Sequence, residues 1–232
     1  MNILGVEIKK GFAAVVAGGE TSGGEVNVLR SALKVIAADS GASFLRRCGI
    51  VPSVLVGDFD SCDRELVEDF RSRGVEVIEL MRDKDKTDTE VALDLLLDEG
   101  FDTAVVLGAL GGGRPEHALG NLFLIEKYSR CGMDVILWSE RTRIFGILAP
   151  PGRSGGSAGR KFWGNPGDWV SLFPVTSRVE GVTTSGLKFG LSGATLSRGS
   201  TLGVSNEMVS EEASCSITGG FLLVVVTGKE FR

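Results

Sequence analysis

The chain contains a single histidine, His117. This excludes zinc centres built from several imidazoles and leaves a histidine-based triad without redundancy. Cysteine is sparse as well: Cys48, Cys62, Cys131 and Cys215 are scattered, with no Cys-x-x-Cys pair. Such usage suits a reducing compartment better than a disulfide framework. Met1 to Lys10 lacks the basic region and long apolar run of a secretory leader. Phe221 to Val226, the most apolar stretch of the tail, is far too short to span a bilayer. The expectation is a soluble, cytoplasmic protein with no membrane partner. A basic excess is also missing: the net charge of −5 leaves no electrostatic footprint for nucleic acid. Phosphorylated ligands remain open, because a local site or a metal can hold them on an acidic protein. No Gly-x-Gly-x-x-Gly fingerprint occurs, which disfavours a nicotinamide dehydrogenase. Gly108-Ala109-Leu110-Gly111-Gly112-Gly113-Arg114 has the glycine spacing of a phosphate loop, but Arg114-Pro115 stands where Lys-Ser/Thr is required. It is not a Walker A loop.

Glycine, by contrast, is abundant: 33 in 232 residues, roughly twice the usual share, so turns and close backbone approaches are expected. The chain is long enough for one large domain or two small ones. Up to residue 140, short apolar runs alternate with helical patterns. Strands are expected at Lys34–Ala38, Val54–Val56, Val75–Leu80, Thr103–Leu107 and Asp134–Trp138. Between them, helices are expected at Ala42–Arg47, at Asp63–Arg73 with Leu66, Val67 and Phe70 inward, behind a Thr87-x-x-Glu90 capping box, and after Pro115. The third helix presents Val91, Ala92, Leu95 and Leu96 as its stripe, and the fourth Leu119, Leu122 and Phe123. This alternation predicts a mostly parallel sheet covered on both faces. Beyond it, residues 150–159 have loop composition, and β-rich runs follow at Trp169–Phe173, Gly181–Thr184, Leu187–Leu191, Ala213–Thr218 and Phe221–Thr227. The expected organisation is an α/β domain over 1–140 and a smaller all-β sandwich over 141–232.

Polar clusters fall at the carboxyl ends of the predicted parallel strands, where such sheets place their ligands. The sharpest is Gly57-Asp58-Phe59-Asp60-Ser61. If the backbone stays extended there, Asp58 and Asp60 point to one side. Paired carboxylates then suit Mg²⁺ held against phosphates, whereas the same residue types also make an ordinary turn. Asp39-Ser40-Gly41 follows an earlier strand. Arg82-Asp83-Lys84-Asp85-Lys86-Thr87-Asp88 precedes a helix; it reads as a self-neutralising surface loop, or as lysines meeting phosphate while Asp88 joins Asp58 and Asp60. Gly108 to His117 can wrap a phosphate or sugar with backbone N–H groups, with Arg114 as a bidentate grip. The residues therefore predict a nucleotide-phosphate site using Mg²⁺, without naming an acceptor.

In this order the motifs resemble the thiamin pyrophosphokinase family. Asp39-Ser40-Gly41 matches its Asp-Gly-Gly-like turn, and Gly57 to Ser61 its Gly-Asp-Phe-Asp-Ser motif without change. Lys84 to Asp88 matches Lys-Asp-x-x-Thr-Asp with one residue fewer, and Gly112-Gly113-Arg114-Pro115-Glu116-His117 matches Gly-Gly-Arg-x-Asp-His. Gly186-Leu187-Lys188-Phe189 and Ser205-Asn206-Glu207 look like later family elements. The resemblance spans roughly residues 35–226.

It implies transfer of pyrophosphate from ATP to the thiamin hydroxyl, giving thiamin pyrophosphate and AMP, on a Rossmann-like domain joined to a β-sandwich. It also implies a homodimer with active sites at the subunit interface. By motif, Asp39, Asp58, Asp60 and Asp88 form the catalytic acidic centre, with Asp58, Asp60 and Asp88 as Mg²⁺ ligands. Lys84, Asp85, Thr87, Gly112, Gly113, Arg114 and His117 surround the ATP phosphates. Ser205, Asn206 and Leu187 contribute to the thiamin pocket. Glu116 departs from the family Asp by one methylene, and the Gly/Ser-rich 152–160 stretch reads as an idiosyncratic insertion with no assigned function. Two alternatives stay open: a related pyrophosphokinase acting on another alcohol, such as a pterin, or a nucleotide sensor without turnover.

Overall fold

The computed structural model describes residues 3–60, 62–150 and 156–229. Ser61 of the acidic motif and residues 152–155 of the Gly/Ser-rich stretch lie outside the described residues. The rest divides into two units, one formed by Lys9–Leu124 with Gly132–Glu140, the other by Met1–Ile8, Ile125–Cys131 and Arg141–Arg232.

The first unit runs β1 (Ala13–Val16), α1 (Glu25–Ser31), β2 (Val35–Ala38), α2 (Gly41–Arg47), β3 (Val54–Gly57), α3 (Arg64–Ser72), β4 (Glu76–Glu79), α4 (Asp88–Asp98), β5 (Thr103–Leu107), α5 (Pro115–Arg130) and β6 (Asp134–Trp138). Its strands lie in the order β6-β5-β1-β2-β3-β4, and every pairing is parallel. β1, β2, β3 and β5 are buried at every residue. Because successive side chains point to opposite faces, both faces of these strands are covered. β4 closes the edge and is part exposed.

Two helices begin where capping chemistry directs. The Asp63 side chain accepts the Glu65 N–H at the start of α3, and Thr87 Oγ accepts the Glu90 N–H at the start of α4. α3 buries Leu66, Val67 and Phe70 as its spacing predicts. α4 differs: Thr89, Ala92, Leu93 and Leu96 are buried, so the inward face is turned from the Val91–Leu95 line. α5 differs more, with Leu119 58% and Phe123 64% exposed while Asn121, Ile125 and Tyr128 are buried. Both stripes satisfy a helical period; α5 carries apolar residues all round, and the fold decides which set faces inward.

The second unit holds β7 (Thr142–Leu148), β8 (Ala158–Trp163), β9 (Trp169–Pro174), β10 (Arg178–Ser185), β11 (Ala194–Ser197), β12 (Asn206–Glu207), β13 (Glu212–Ile217) and β14 (Phe221–Thr227). They form antiparallel sheets in the orders β12-β9-β14-β7 and β11-β10-β13-β8. The Phe145 and Phe162 rings, from one strand of each, meet with centroids 5.8 Å apart. The sequence boundary at 140 requires correction at two places. Val6 bridges Phe162 and is fully buried, which ties the N-terminal residues to this unit. The last turns of α5 also belong here, with Tyr128 fully buried, so the unit is not all-β. Leu187–Leu191, expected as a strand, supplies only a single bridge, Leu187 to Met208. The expected loop at 150–159 ends early, because β8 begins at Ala158.

Candidate active site

The strand order reverses between β1 and β5. A crevice of about 650 Å³ opens at the carboxyl ends of β1, β2, β3 and β5, the place that open parallel sheets reserve for ligands. Its floor is backbone. The Ala17 N–H donates to the Leu107 carbonyl at 2.8 Å, and the Gly19 N–H to the Gly108 carbonyl at 2.9 Å. A Cβ on Gly19 would lie 2.3 Å from the Gly108 oxygen, so only glycine allows this approach. Gly18 and Gly19 line the crevice beside Gly108 and Gly111 to Gly113. Sequence reading missed this first wall, because a short strand so near the start carried no polar motif; the Gly18-Gly19 pair after an apolar run was the available signal. It also missed Asn121, a buried asparagine whose Nδ2 donates to the Ala109 carbonyl at 3.0 Å and ties α5 to the glycine loop.

The acidic wall is built from turns. β3 ends at Gly57, and Phe59 has a φ of 55°, so the segment is not extended. The Asp60 N–H folds back on Asp58 Oδ1 at 3.2 Å. The two carboxylates thus converge through a turn rather than through strand alternation, and the turn and ligand-pair readings are one structure. Asp39 sits after β2 with a φ of 48°, its N–H donating to the Val56 carbonyl at 2.8 Å. Among the described residues the non-glycine positions with positive φ are Asp39, Phe59 and Ser205, all within sequence-selected motifs. Such backbone persists where surroundings over-determine it, commonly at functional sites. One ligand oxygen from each of Asp39, Asp58 and Asp60 lies within 4.8 Å of the others. Hard carboxylate oxygens so grouped fit Mg²⁺. The expected set named Asp88 in place of Asp39; Asp88 faces the same crevice but stands outside this group.

Lys84 explains where Asp88 is held. Its Nζ lies 3.2 Å from Asp58 Oδ2 and 3.1 Å from Asp88 Oδ1. The second approach is ionic, since Asp88 Oδ1 is buried without a well-formed hydrogen bond. Burial weighs most on Lys84 and pulls its pKa down, but the close approach of Asp88 and Asp58 outweighs it and leaves the value raised. The Asp60 N–H, followed by Lys84, holds Asp58 below the usual aspartate value despite some burial. Asp88 moves the other way, raised chiefly by desolvation, with Lys84 opposing. The partners respond differently because Lys84 faces two carboxylates, whereas for Asp88 desolvation outweighs its single cation. Cys62 borders the cluster, its thiol 3.6 Å from Asp39 Oδ1, and burial followed by the Asp39 charge pushes it up to about 12. It is therefore a thiol rather than a nucleophile.

A raised carboxyl pKa means that the folded chain holds the proton more tightly than the unfolded chain, so the charged form costs stability above that pKa. Asp88→Asn is expected to raise the melting temperature at neutral pH by about 2 °C. The gain should vanish towards about pH 3, where Asp88 is neutral in both states. Melting curves at the two pH values check this.

Of the remaining phosphate-side candidates, Lys84, Thr87, Gly112, Gly113, Arg114 and His117 line the crevice, and Asp85 does not. Arg114 Nε pairs with Glu116 Oε1 at 2.7 Å, both exposed, and this holds the Glu116 carboxyl below its usual value. The longer Glu116 thus reaches back to Arg114, in an exposed pair that an incoming anion can replace at small cost.

The second unit carries the other three candidates. Asn206 is buried, and its amide pins one loop: Oδ1 accepts the Phe189 N–H at 3.0 Å and Nδ2 donates to the Phe189 carbonyl at 2.7 Å. Leu187 is 7% exposed and packs inward. Ser205 is exposed, with its N–H on Ser171 Oγ at 3.0 Å. Asn206 therefore acts on the loop that follows Leu187. Asn206→Ala leaves both Phe189 backbone groups without their partner and should cost about 1–3 kcal/mol of stability, read by thermal melting.

A parallel α/β unit with an acidic, glycine-walled crevice at its switch point, followed in the chain by antiparallel β structure, defines a class of two-part α/β ligand-binding proteins. Comparison with known proteins makes it particular. The family "Thiamin pyrophosphokinase, catalytic domain" matches residues 26–137, and "Thiamin pyrophosphokinase, vitamin B1 binding domain" matches residues 162–222. A thiamine pyrophosphokinase of Bacillus subtilis is 27% identical over 190 residues, spanning 82% of this chain and 85% of the relative. The crystal structure of thiamine pyrophosphokinase from Bacillus subtilis superposes with a TM-score of 0.81 at 25% identity, covering 94% of this chain and 100% of that one. The crystal structure of thiamin pyrophosphokinase from Geobacillus thermodenitrificans does so with a TM-score of 0.77 at 26% identity, covering 95% and 99%. The chain belongs to the thiamin pyrophosphokinase family.

Proposed function

We propose that the switch-point crevice binds ATP with Mg²⁺ and serves thiamin pyrophosphorylation, the reaction of the family to which the chain belongs. The observation that carries this reading is the convergence of Asp39, Asp58 and Asp60 within 4.8 Å beside the glycine loops. Transfer of a pyrophosphoryl group is largely positioning plus neutralisation of charge. Asp39, Asp58 and Asp60 would hold Mg²⁺, which when bound neutralises negative charge on the transferring phosphates. Lys84 and Arg114 supply cationic contacts, and the backbone N–H groups of the 111–113 loop orient the phosphate chain. Asp58 or Asp88 takes the proton of the thiamin hydroxyl as its oxygen attacks, and AMP departs. Asp88, whose pKa burial raises while that of Asp58 is lowered, is the more basic of the two.

The sheet is Rossmann-like, with its switch point between β1 and β5, and the two antiparallel sheets form a sandwich that takes thiamin near Ser205. The enzyme is read as a cytoplasmic homodimer. Among the described residues, no helix is long and apolar enough to cross a membrane. Light scattering of the purified chain tests the dimer.

A coupled assay of AMP release with thiamin and with a pterin alcohol tests the acceptor. Release is expected with thiamin and not with the pterin; release with the pterin alone would assign the same phosphate machinery to another alcohol.

A further inference from the structure

The carboxylates of the crevice already have cations of the chain's own. Lys84 Nζ lies between Asp58 Oδ2 and Asp88 Oδ1, at 3.2 and 3.1 Å, with its side chain only 19% exposed. Arg82 reaches Asp60 Oδ2 at 3.6 Å from an exposed position. The two pairs are unequal. Arg82 is solvated and screened, and contributes little. Lys84 is much less exposed, so its charge is screened less on both partners. Asp58 is doubly engaged, with Oδ1 accepting the Asp60 N–H and Oδ2 facing the ammonium. A divalent cation drawing on Asp58 must therefore share that carboxylate with Lys84 or displace it, against like-charge repulsion.

Resting on the reading of the crevice as an ATP–Mg²⁺ site, we propose that Lys84 is an internal counter-ion that competes with the divalent cation for Asp58 and makes cation binding conditional on nucleotide. A polyphosphate in the crevice gives the ammonium another anionic partner. Lys84 then leaves Asp58 to the cation, and the four carbons of its side chain supply the reach for the move. Nucleotide strengthens the cation's binding, and by linkage the cation strengthens the nucleotide's by the same factor. A bare cation meets an occupied carboxylate, so the metal arrives with its nucleotide. Lys84 is on this account a positioning residue for the acidic cluster as well as a phosphate contact. Asp88 completes the device as its anchor, holding Lys84 from the first turn of α4.

The test is Mn²⁺ binding to the purified chain, followed by the electron paramagnetic resonance signal of the free ion, with and without α,β-methylene-ATP. Without nucleotide, Lys84→Met is expected to bind Mn²⁺ about tenfold more tightly than the unmodified chain, and the nucleotide should add less to its affinity. Lys84→Arg keeps the charge and should bind Mn²⁺ as weakly as the unmodified chain. Lys84→Gln is a second neutral variant, and circular dichroism verifies the fold of each. Unchanged or weaker Mn²⁺ binding in both neutral variants, with Asp58→Asn still abolishing it, would overturn the counter-ion role alone. Mn²⁺ binding indifferent to Asp58→Asn would overturn the reading of the crevice and this inference together.

Discussion

Asp58→Asn is expected to lower thiamin pyrophosphorylation by about 10³-fold or more, with an unchanged far-ultraviolet circular dichroism spectrum. The carboxylate is the joint of the site. It stands in the three-carboxylate group, accepts the Asp60 N–H that shapes the turn, and faces Lys84. Asparagine keeps an acceptor for the Asp60 N–H, so the turn survives. What it removes is the charge, and a reaction governed by placement of a polyphosphate and its counter-ions depends on that charge. Lys84 retains Asp88 as a partner, which limits any loss of stability. Steady-state AMP release, set beside the spectrum, checks both halves. Turnover within tenfold of the unmodified chain would remove the acidic centre from the mechanism.

The largest effect on stability is expected at a residue with no side chain. A Cβ on Gly41 would lie 2.0 Å from the Val16 carbonyl oxygen and 2.7 Å from its carbon. Both are backbone atoms of β1, buried and paired on either side, so they cannot yield as a flexible side chain would. Gly41 is the first residue of α2, and this contact seats the helix against the sheet directly beneath Asp39. Gly41→Ala should cost about 3 kcal/mol, a fall of roughly 10 °C in melting temperature for a chain of this size. Gly113→Ala is the control: its Cβ would meet nothing within 4 Å, and its stability should stay within about 0.5 kcal/mol of the unmodified chain. Differential scanning calorimetry on the pair separates a steric requirement from a general cost of altering glycine.

Much of the first unit was legible because its signals are local. Thr103–Leu107 and Asp134–Trp138 are strands at their predicted limits, being unbroken apolar runs between turn residues. Thr87 caps α4 because its hydroxyl needs only the N–H three residues ahead. Helix faces were less legible. The α4 and α5 stripes drawn from spacing are each displaced in the structure, since a helix with apolar residues on more than one side has several acceptable faces. In the second unit, Leu187–Leu191 had strand composition but found a single bridge, its backbone instead held in part by Asn206. A residue seventeen positions away has no voice in a local pattern.

The site divides along the same line. The sequence by itself determined the chemistry: which carboxylates, lysines and glycines stand at strand ends, in an order that resembles one family. Those are properties of residue type and spacing, and a parallel sheet places every such strand end on one side. Only the tertiary structure decided the partners. It grouped Asp39 with Asp58 and Asp60, set Lys84 between Asp58 and Asp88, and brought Gly19 against Gly108. The reason is that β1, β2, β3 and β5 become neighbours through pairing across the sheet, and distances of a few ångströms between their loops follow from register that no one segment encodes.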